Sequence, residues 1–190
     1  MTPLPEGQRY TLADLLAWDD NTRYEMYNGQ LVALAAPSYI HQMICMELSR
    51  QFSTYLFGKR CKVLAAPFDV QPFAEKDAPP ETISTVVQPD LLIICDPEKT
   101  RGHGCKGAPD MVIEVLSPST AQYDKMRKFN LYWQAGVREY WIVDPEKRIV
   151  SVYTLEDGIY NTATYNEDES IQVGILDNCV INLSDVFSVI

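Results

Sequence analysis

The sequence predicts one α/β domain: a mixed β-sheet flanked by helices, with additional β-hairpins. Three observations predict it. Residues 91–95 and 111–116 are almost wholly apolar, the pattern of strands covered on both faces. A helix-patterned stretch, 117–135, separates the second of these runs from a third at 139–143, as a crossover between strands of one sheet requires. Asn28-Gly29 and Glu156-Asp157-Gly158 each sit between strand-like runs and read as hairpin turns. A chain of 190 residues fits a single domain, expected to span 1–190.

The elements follow in order. Residues 1–9 are polar with two prolines and read as a flexible N-terminus. Thr11 is a candidate N-cap for a short helix carrying Leu12, Leu15 and Leu16. Residues 23–28 and 30–35 form the first hairpin. From Pro37 a helix runs to Tyr55 with Ile40, Ile44, Leu48 and Phe52 on one stripe. Residues 61–72 read as one or two strands, and 74–86 as an exposed loop containing two prolines. The strand 88–95 and the third strand, 139–143, each close in Asp-Pro; 100–108 is a glycine-containing loop. Ser117-Pro118-Ser119-Thr120 signals a helix start, and Gly136 its end. Residues 149–155 and 159–165 form a second hairpin. The tail from Ile171 holds short strands and a helical turn over 183–187, and the acidic stretch 149–190 either folds against the sheet or shields a basic groove.

Composition excludes several classes. The longest apolar runs, six residues at 31–36 and five at 91–95, cannot span a bilayer as a helix, so no membrane partner is expected. The N-terminus has no basic start followed by an apolar run, which argues against a signal peptide and for a cytoplasmic protein. Cys45, Cys61, Cys95, Cys105 and Cys179 are odd in number and scattered without Cys-x-x-Cys spacing; they are expected to be reduced, buried thiols. The net charge of −10 is uneven: residues 149–190 hold no Lys or Arg and carry −7, while 99–138 carry +4. That stretch is basic where the candidate site falls; alternatively it is a solvated charged face.

Glu114 is the odd residue in its strand. A carboxylate between Ile113 and Val115 is costly unless paired or bound to a cation. Asp90 opens the preceding buried strand, and two carboxylates on neighbouring strands can hold magnesium or manganese. The competing reading is a buried acid satisfied by Arg or backbone donors. Glu25 reads either as an exposed strand residue or as a third carboxylate. Asp124, Lys128 and Tyr132 share a helix face at i, i+4 and i+8, which makes either a stabilising ion pair or a lysine delivered to the acids. His41 has no nucleophile motif around it and reads as a helix-face residue. His103 and Lys106 lie in a glycine-containing loop without a phosphate-loop pattern.

The residues that carry a family resemblance run through the chain. They are Arg23-Tyr24-Glu25-Met26-Tyr27-Asn28-Gly29, Ala36-Pro37-Ser38 followed by His41, Gln88-Pro89-Asp90, and Pro109-Asp110 leading to Ile113-Glu114-Val115-Leu116-Ser117-Pro118-Ser119-Thr120. Asp124, Lys128 and Tyr132 follow, and then the run from Gly136 to Pro145. As an ordered set they resemble the Uma family of endonucleases, a branch of the PD-(D/E)XK nuclease superfamily. The resemblance implies a restriction-endonuclease-like fold, a homodimer, and Mg2+- or Mn2+-dependent cleavage of DNA. Asp90, Glu114 and Glu25 would be the acidic metal ligands and Lys128 the catalytic cation. His41, Asp124 and Tyr132 would support them, and Lys99, Arg101, Lys106, Lys125 and Arg127 would meet nucleic acid. One position departs from the superfamily pattern: Leu116 stands where it has a lysine two residues after the second acid, so that lysine is lost or moved to Lys128. Two other readings follow from this departure and the acidic tail. One is a catalytically inactive nucleic-acid-binding module. The other is a protein-interaction module, with Tyr140 and Trp141 as candidate dimer contacts.

Overall fold

The computed structural model describes residues 7–18, 22–100, 104–117 and 121–190, with backbone alone for 121–125. In chain order the elements are α1 (Leu12–Leu16), β1 (Tyr24–Tyr27), β2 (Gln30–Ala33), α2 (Tyr39–Leu56), β3 (Lys62–Ala65), β4 (Val70–Gln71), β5 (Leu91–Ile94), β6 (Cys105–Lys106), β7 (Met111–Val115), α3 (Ala121–Ala135), β8 (Glu139–Asp144), β9 (Ile149–Glu156), β10 (Ile159–Asn166), β11 (Ser170–Gln172), β12 (Val180–Asn182) and α4 (Leu183–Ser188). The central sheet has the order β10-β9-β8-β7-β5-β3. Only the pair β7 and β8, joined through α3, is parallel; its other neighbours are antiparallel. The fold is thus the mixed sheet that the sequence predicts.

Alternation along the strands assigns the two faces. Leu91, Ile93, Met111, Ile113 and Trp141 pack under Ile44, Leu48 and Phe52 of α2. Leu92, Ile94, Val112, Tyr140 and Ile142 pack under Leu131 and Tyr132 of α3. The acidic tail adds to the α2 side: Ile171, Val173, Ile181, Leu183, Val186 and Phe187 are buried there. It folds against the sheet.

Local chemistry sets the element ends. Thr11 and Asp14 form a capping box on α1. Ser38 caps α2 by accepting from the His41 N–H, so Pro37 precedes the cap. Asn28 and Gly29 both take positive φ, as a tight hairpin turn between β1 and β2 requires. Gly136 has φ +80 just past α3, where a left-handed residue ends the helix. The helix-start residues Pro118, Ser119 and Thr120 lie outside the described residues, as do the first six of the nine positions expected to form a flexible N-terminus.

Three expectations are corrected. Cys61 and Cys95 form a disulfide, because β3 runs antiparallel to β5 with Lys62 opposite Ile94, which sets 61 beside 95. Cys45, Cys105 and Cys179 are free and buried, as expected. Tyr140 and Trp141 cannot serve as dimer contacts: both are fully buried in the two faces of the core. The 74–86 segment is irregular around a 3-10 turn at Pro80–Thr82, yet Ile83, Thr85 and Val86 are buried. Met26 and Val86 exchange backbone hydrogen bonds of 2.7 and 2.8 Å, so this segment lines β1.

Candidate active site

The register of β5 against β7 sets Leu91 opposite Ile113, and one step further it brings Asp90 beside Glu114. Asp90 Oδ2 accepts the Val115 N–H at 2.8 Å, a bond that ties the acid to the neighbouring strand. His41 Nε2 lies 3.1 Å from the same oxygen, carried there by the first turn of α2. Cys45, one turn further along α2, has its sulfur 3.6 Å from His41 Nδ1. Ligand atoms of His41, Cys45 and Asp90 all lie within 4.8 Å of one another.

Glu114 points to the α3 side. Lys128 Nζ donates to both of its oxygens at 3.0 Å, and the Tyr132 hydroxyl donates to Oε1 at 2.8 Å. Lys128 also lies 3.0 Å from Glu25 Oε1. Glu25 accepts the Tyr27 hydroxyl at 2.7 Å and the Gln88 N–H at 3.0 Å. One ammonium therefore serves two carboxylates, all three groups close to fully buried.

The electrostatics follow from burial and from the surplus of acid. Burial pushes the Glu114 carboxyl up to about 8; the Lys128 ammonium opposes the rise, and Asp90 and Glu25 add to it. Burial alone would lower Lys128, but Glu114 and then Glu25 outweigh it and hold the ammonium well above its usual value. Burial, reinforced by Glu114, keeps the Tyr132 hydroxyl protonated as a donor. Burial, with Asp90 and Glu114 behind it, likewise raises the Cys45 thiol.

The structure brings together Glu25, His41, Asp90, Glu114, Lys128 and Tyr132. Asp124 and Lys125 lie on α3 with side chains outside the described residues, and Arg101 and His103 fall outside them altogether. Lys99 and Lys106 brace loops, donating to the carbonyls of Ala108 at 2.7 Å and Ala78 at 2.9 Å. Arg127 lies over the Tyr27 ring, 4.0 Å from its centroid. Sequence reasoning gave no role to Tyr27, Gln88 or Cys45. The strand period sets Tyr27 on the face of Glu25, and the helix period sets Cys45 on that of His41, so two of these were within reach.

A mixed sheet, flanked by α2 and α3 and holding clustered acids on adjacent strands, is the architecture of restriction-endonuclease-like nucleases. This chain belongs to the Uma2 family, described as "Putative restriction endonuclease", whose model matches residues 12–184. It is 26% identical over 164 residues to "Uncharacterized protein slr1290" of Synechocystis sp. (strain ATCC 27184 / PCC 6803 / Kazusa), covering 84% of this chain and 82% of that one. The crystal structure of a "putative nuclease belonging to DUF820" from Anabaena variabilis ATCC 29413 shares the fold, with a TM-score of 0.75 at 19% identity. The match covers 95% of this chain and 98% of that one.

Proposed function

We propose that the chain is a divalent-metal-dependent endonuclease that hydrolyses DNA phosphodiester bonds, acting as a cytoplasmic homodimer. One observation carries the reading: Glu25 and Glu114 converge on a single buried ammonium, Lys128, with Asp90 near enough for its charge to raise the Glu114 carboxyl. Surplus buried negative charge is costly, and a hard dication would relieve it. The donor set fits Mg2+ or Mn2+: Asp90 and Glu114 would hold the ion, with Glu25 beside them, and the nitrogen of His41 would suit manganese better than magnesium. Such an ion, when bound, supplies a Lewis acid and an activated water for phosphodiester hydrolysis.

The remaining roles belong to the chain itself. Lys128 replaces the lysine missing at Leu116, reaching Glu114 from α3 and offering positive charge to the scissile phosphate. Tyr132 and the Val115 N–H orient Glu114 and Asp90, and His41 fixes Asp90 from α2. Arg127, Lys125 and Arg101 are proposed phosphate contacts. Lys99 and Lys106 would be weaker ones, since each is already engaged by a carbonyl.

The test is calorimetric titration of Mg2+ and Mn2+ into the wild type, Glu114→Gln and Asp90→Asn, followed by plasmid cleavage. Metal binding should be lost in both variants, and cleavage should fall by about 100-fold or more. Undiminished cleavage in both variants would overturn the proposal. A second reading has its own observation, because the Lys128 ammonium already sits between two of the acids. Salt-sensitive DNA binding without metal heat or cleavage would favour an inactive binding module.

A further inference from the structure

Beside the Lys128 cluster, three side chains of different chemistry meet against α2. His41 and Cys45 stand one turn apart on that helix, the i and i+4 spacing that lets two side chains reach a single ion. Asp90 comes to them from the residue before β5, its carboxylate 3.1 Å from His41 Nε2. The Cys45 sulfur lies 3.6 Å from the other ring nitrogen. Among the described residues this is the sole group of three histidine, cysteine or acidic side chains whose ligand atoms gather so closely. Glu25 and Glu114 are already satisfied by Lys128, whereas no lysine or arginine among the described residues forms an ion pair with Asp90.

The donor set is selective. A thiolate and an imidazole suit zinc, while hard ions such as magnesium prefer oxygen. Zinc bonds of about 2.0–2.3 Å set tetrahedral ligands roughly 3.5 Å apart, close to the 3.1 and 3.6 Å separations found here. The imidazole now bridges its two neighbours, one nitrogen to each. An ion takes one of those nitrogens, and ligand atoms that lie within 4.8 Å of one another need close by only about 1 Å to meet it. We infer that His41, Cys45 and Asp90 form a zinc site, with a fourth position left to water.

Access and charge support the site. The side chains of His41 and Asp90 are 11% and 19% exposed, so solvent reaches the group from the Asp90 side. Asp90 and Glu114 place Cys45 in a negative field, which opposes a bare thiolate but attracts a dication. On coordination the Sγ–H bond breaks, the sulfur keeps the electron pair for its bond to zinc, and the proton passes to solvent. The other cysteines offer nothing comparable. Cys61 and Cys95 are bonded to each other, and Cys105 and Cys179 belong to no such group among the described residues. Asp90 is also a ligand of the hard-metal site proposed above. Zinc that takes Asp90 removes it from magnesium and so inhibits cleavage, a consequence that rests on the nuclease reading; the zinc site itself does not.

Cadmium titration of the full chain, with the Cys61–Cys95 bridge intact, tests the site without DNA. Cadmium is a soft stand-in for zinc and reports sulfur coordination as an ultraviolet charge-transfer band. One equivalent should raise the band in wild type, Cys105→Ser and Cys179→Ser, and in neither Cys45→Ser nor Cys45→Ala. Zinc calorimetry should find affinity at least about 100-fold weaker in Cys45→Ala, His41→Gln and Asp90→Asn, since residues behind a ligand are themselves worth roughly 10–100-fold. Thermal melts should show each variant folded. A wild type without the band, or a band kept in both Cys45 variants, overturns the site. Undiminished zinc affinity in His41→Gln or Asp90→Asn overturns the three-ligand set. In plasmid cleavage with magnesium, one equivalent of zinc should inhibit wild type and spare Cys45→Ala. Equal inhibition of both overturns the regulatory consequence. A chain that shows the band but never cleaves refutes the nuclease reading and leaves the zinc site standing.

Discussion

Replacing Lys128 with methionine isolates the central interaction of the site. The side chain keeps its length and apolar stem but loses the ammonium that lies 3.0 Å from both Glu25 and Glu114. The side chains of Lys128, Glu25 and Glu114 are only 12%, 4% and 10% exposed, so water cannot take over. Removing one partner of a buried pair costs about 3–5 kcal/mol, because the other charge is left without compensation. At this chain length each kcal/mol lowers the melting temperature by about 2–4 °C, so Lys128→Met should melt roughly 10 °C lower near pH 8. The loss should depend on pH. The Glu114 value of about 8 lies above the usual 4.5, so the fold favours its protonated form. Its contribution to stability is complete below the usual value and disappears as pH rises toward 8. Without the ammonium that opposes this rise, the deficit of the variant should be small near pH 5 and largest at pH 8. Adding Glu114→Gln to Lys128→Met removes one of the stranded carboxylates and should recover part of the loss. The assay is differential scanning calorimetry across pH 5–8. A Lys128→Met melting temperature within about 2 °C of wild type at pH 8 would refute the reasoning, as would a deficit that does not grow with pH.

Two further predictions concern the scaffold. Phe52 is fully buried, its ring 5.8 Å from that of Trp141, so Phe52→Ala should cost about 3–5 kcal/mol in urea unfolding with little change in slope. Cys61→Ser with Cys95→Ser opens a bridge between residues 34 apart in sequence and should cost about 3–4 kcal/mol, measured as a lower melting temperature under non-reducing conditions.

Much of the site was legible because burial makes chemistry conspicuous. A carboxylate at Glu114 stands out in an apolar strand, and the helix period alone set Lys128 and Tyr132 on one face, where both meet that carboxylate. Glu25 was less legible. Its strand does not alternate, since all four residues of β1 are buried, and the second cover comes from the irregular segment that reaches Val86. Local periodicity cannot reveal a neighbour 60 residues away in the chain. The disulfide was hidden for the same reason: scattered cysteines carry no pairing information until strand register is known. His41 was marked by the family resemblance and not by its local pattern, because its partner, Asp90, belongs to a different element.

The assembled site draws on β1, α2, the start of β5, β7 and α3, and even a single bond such as that from Gln88 to Glu25 closes a span of 63 residues. Contacts of this kind form late, after the entropy of large loops has been overcome. A nascent or half-folded chain therefore holds the individual acids but not their convergence, and under the proposed function it could not cut nucleic acid. On that reading, the topology itself delays activity until folding is complete.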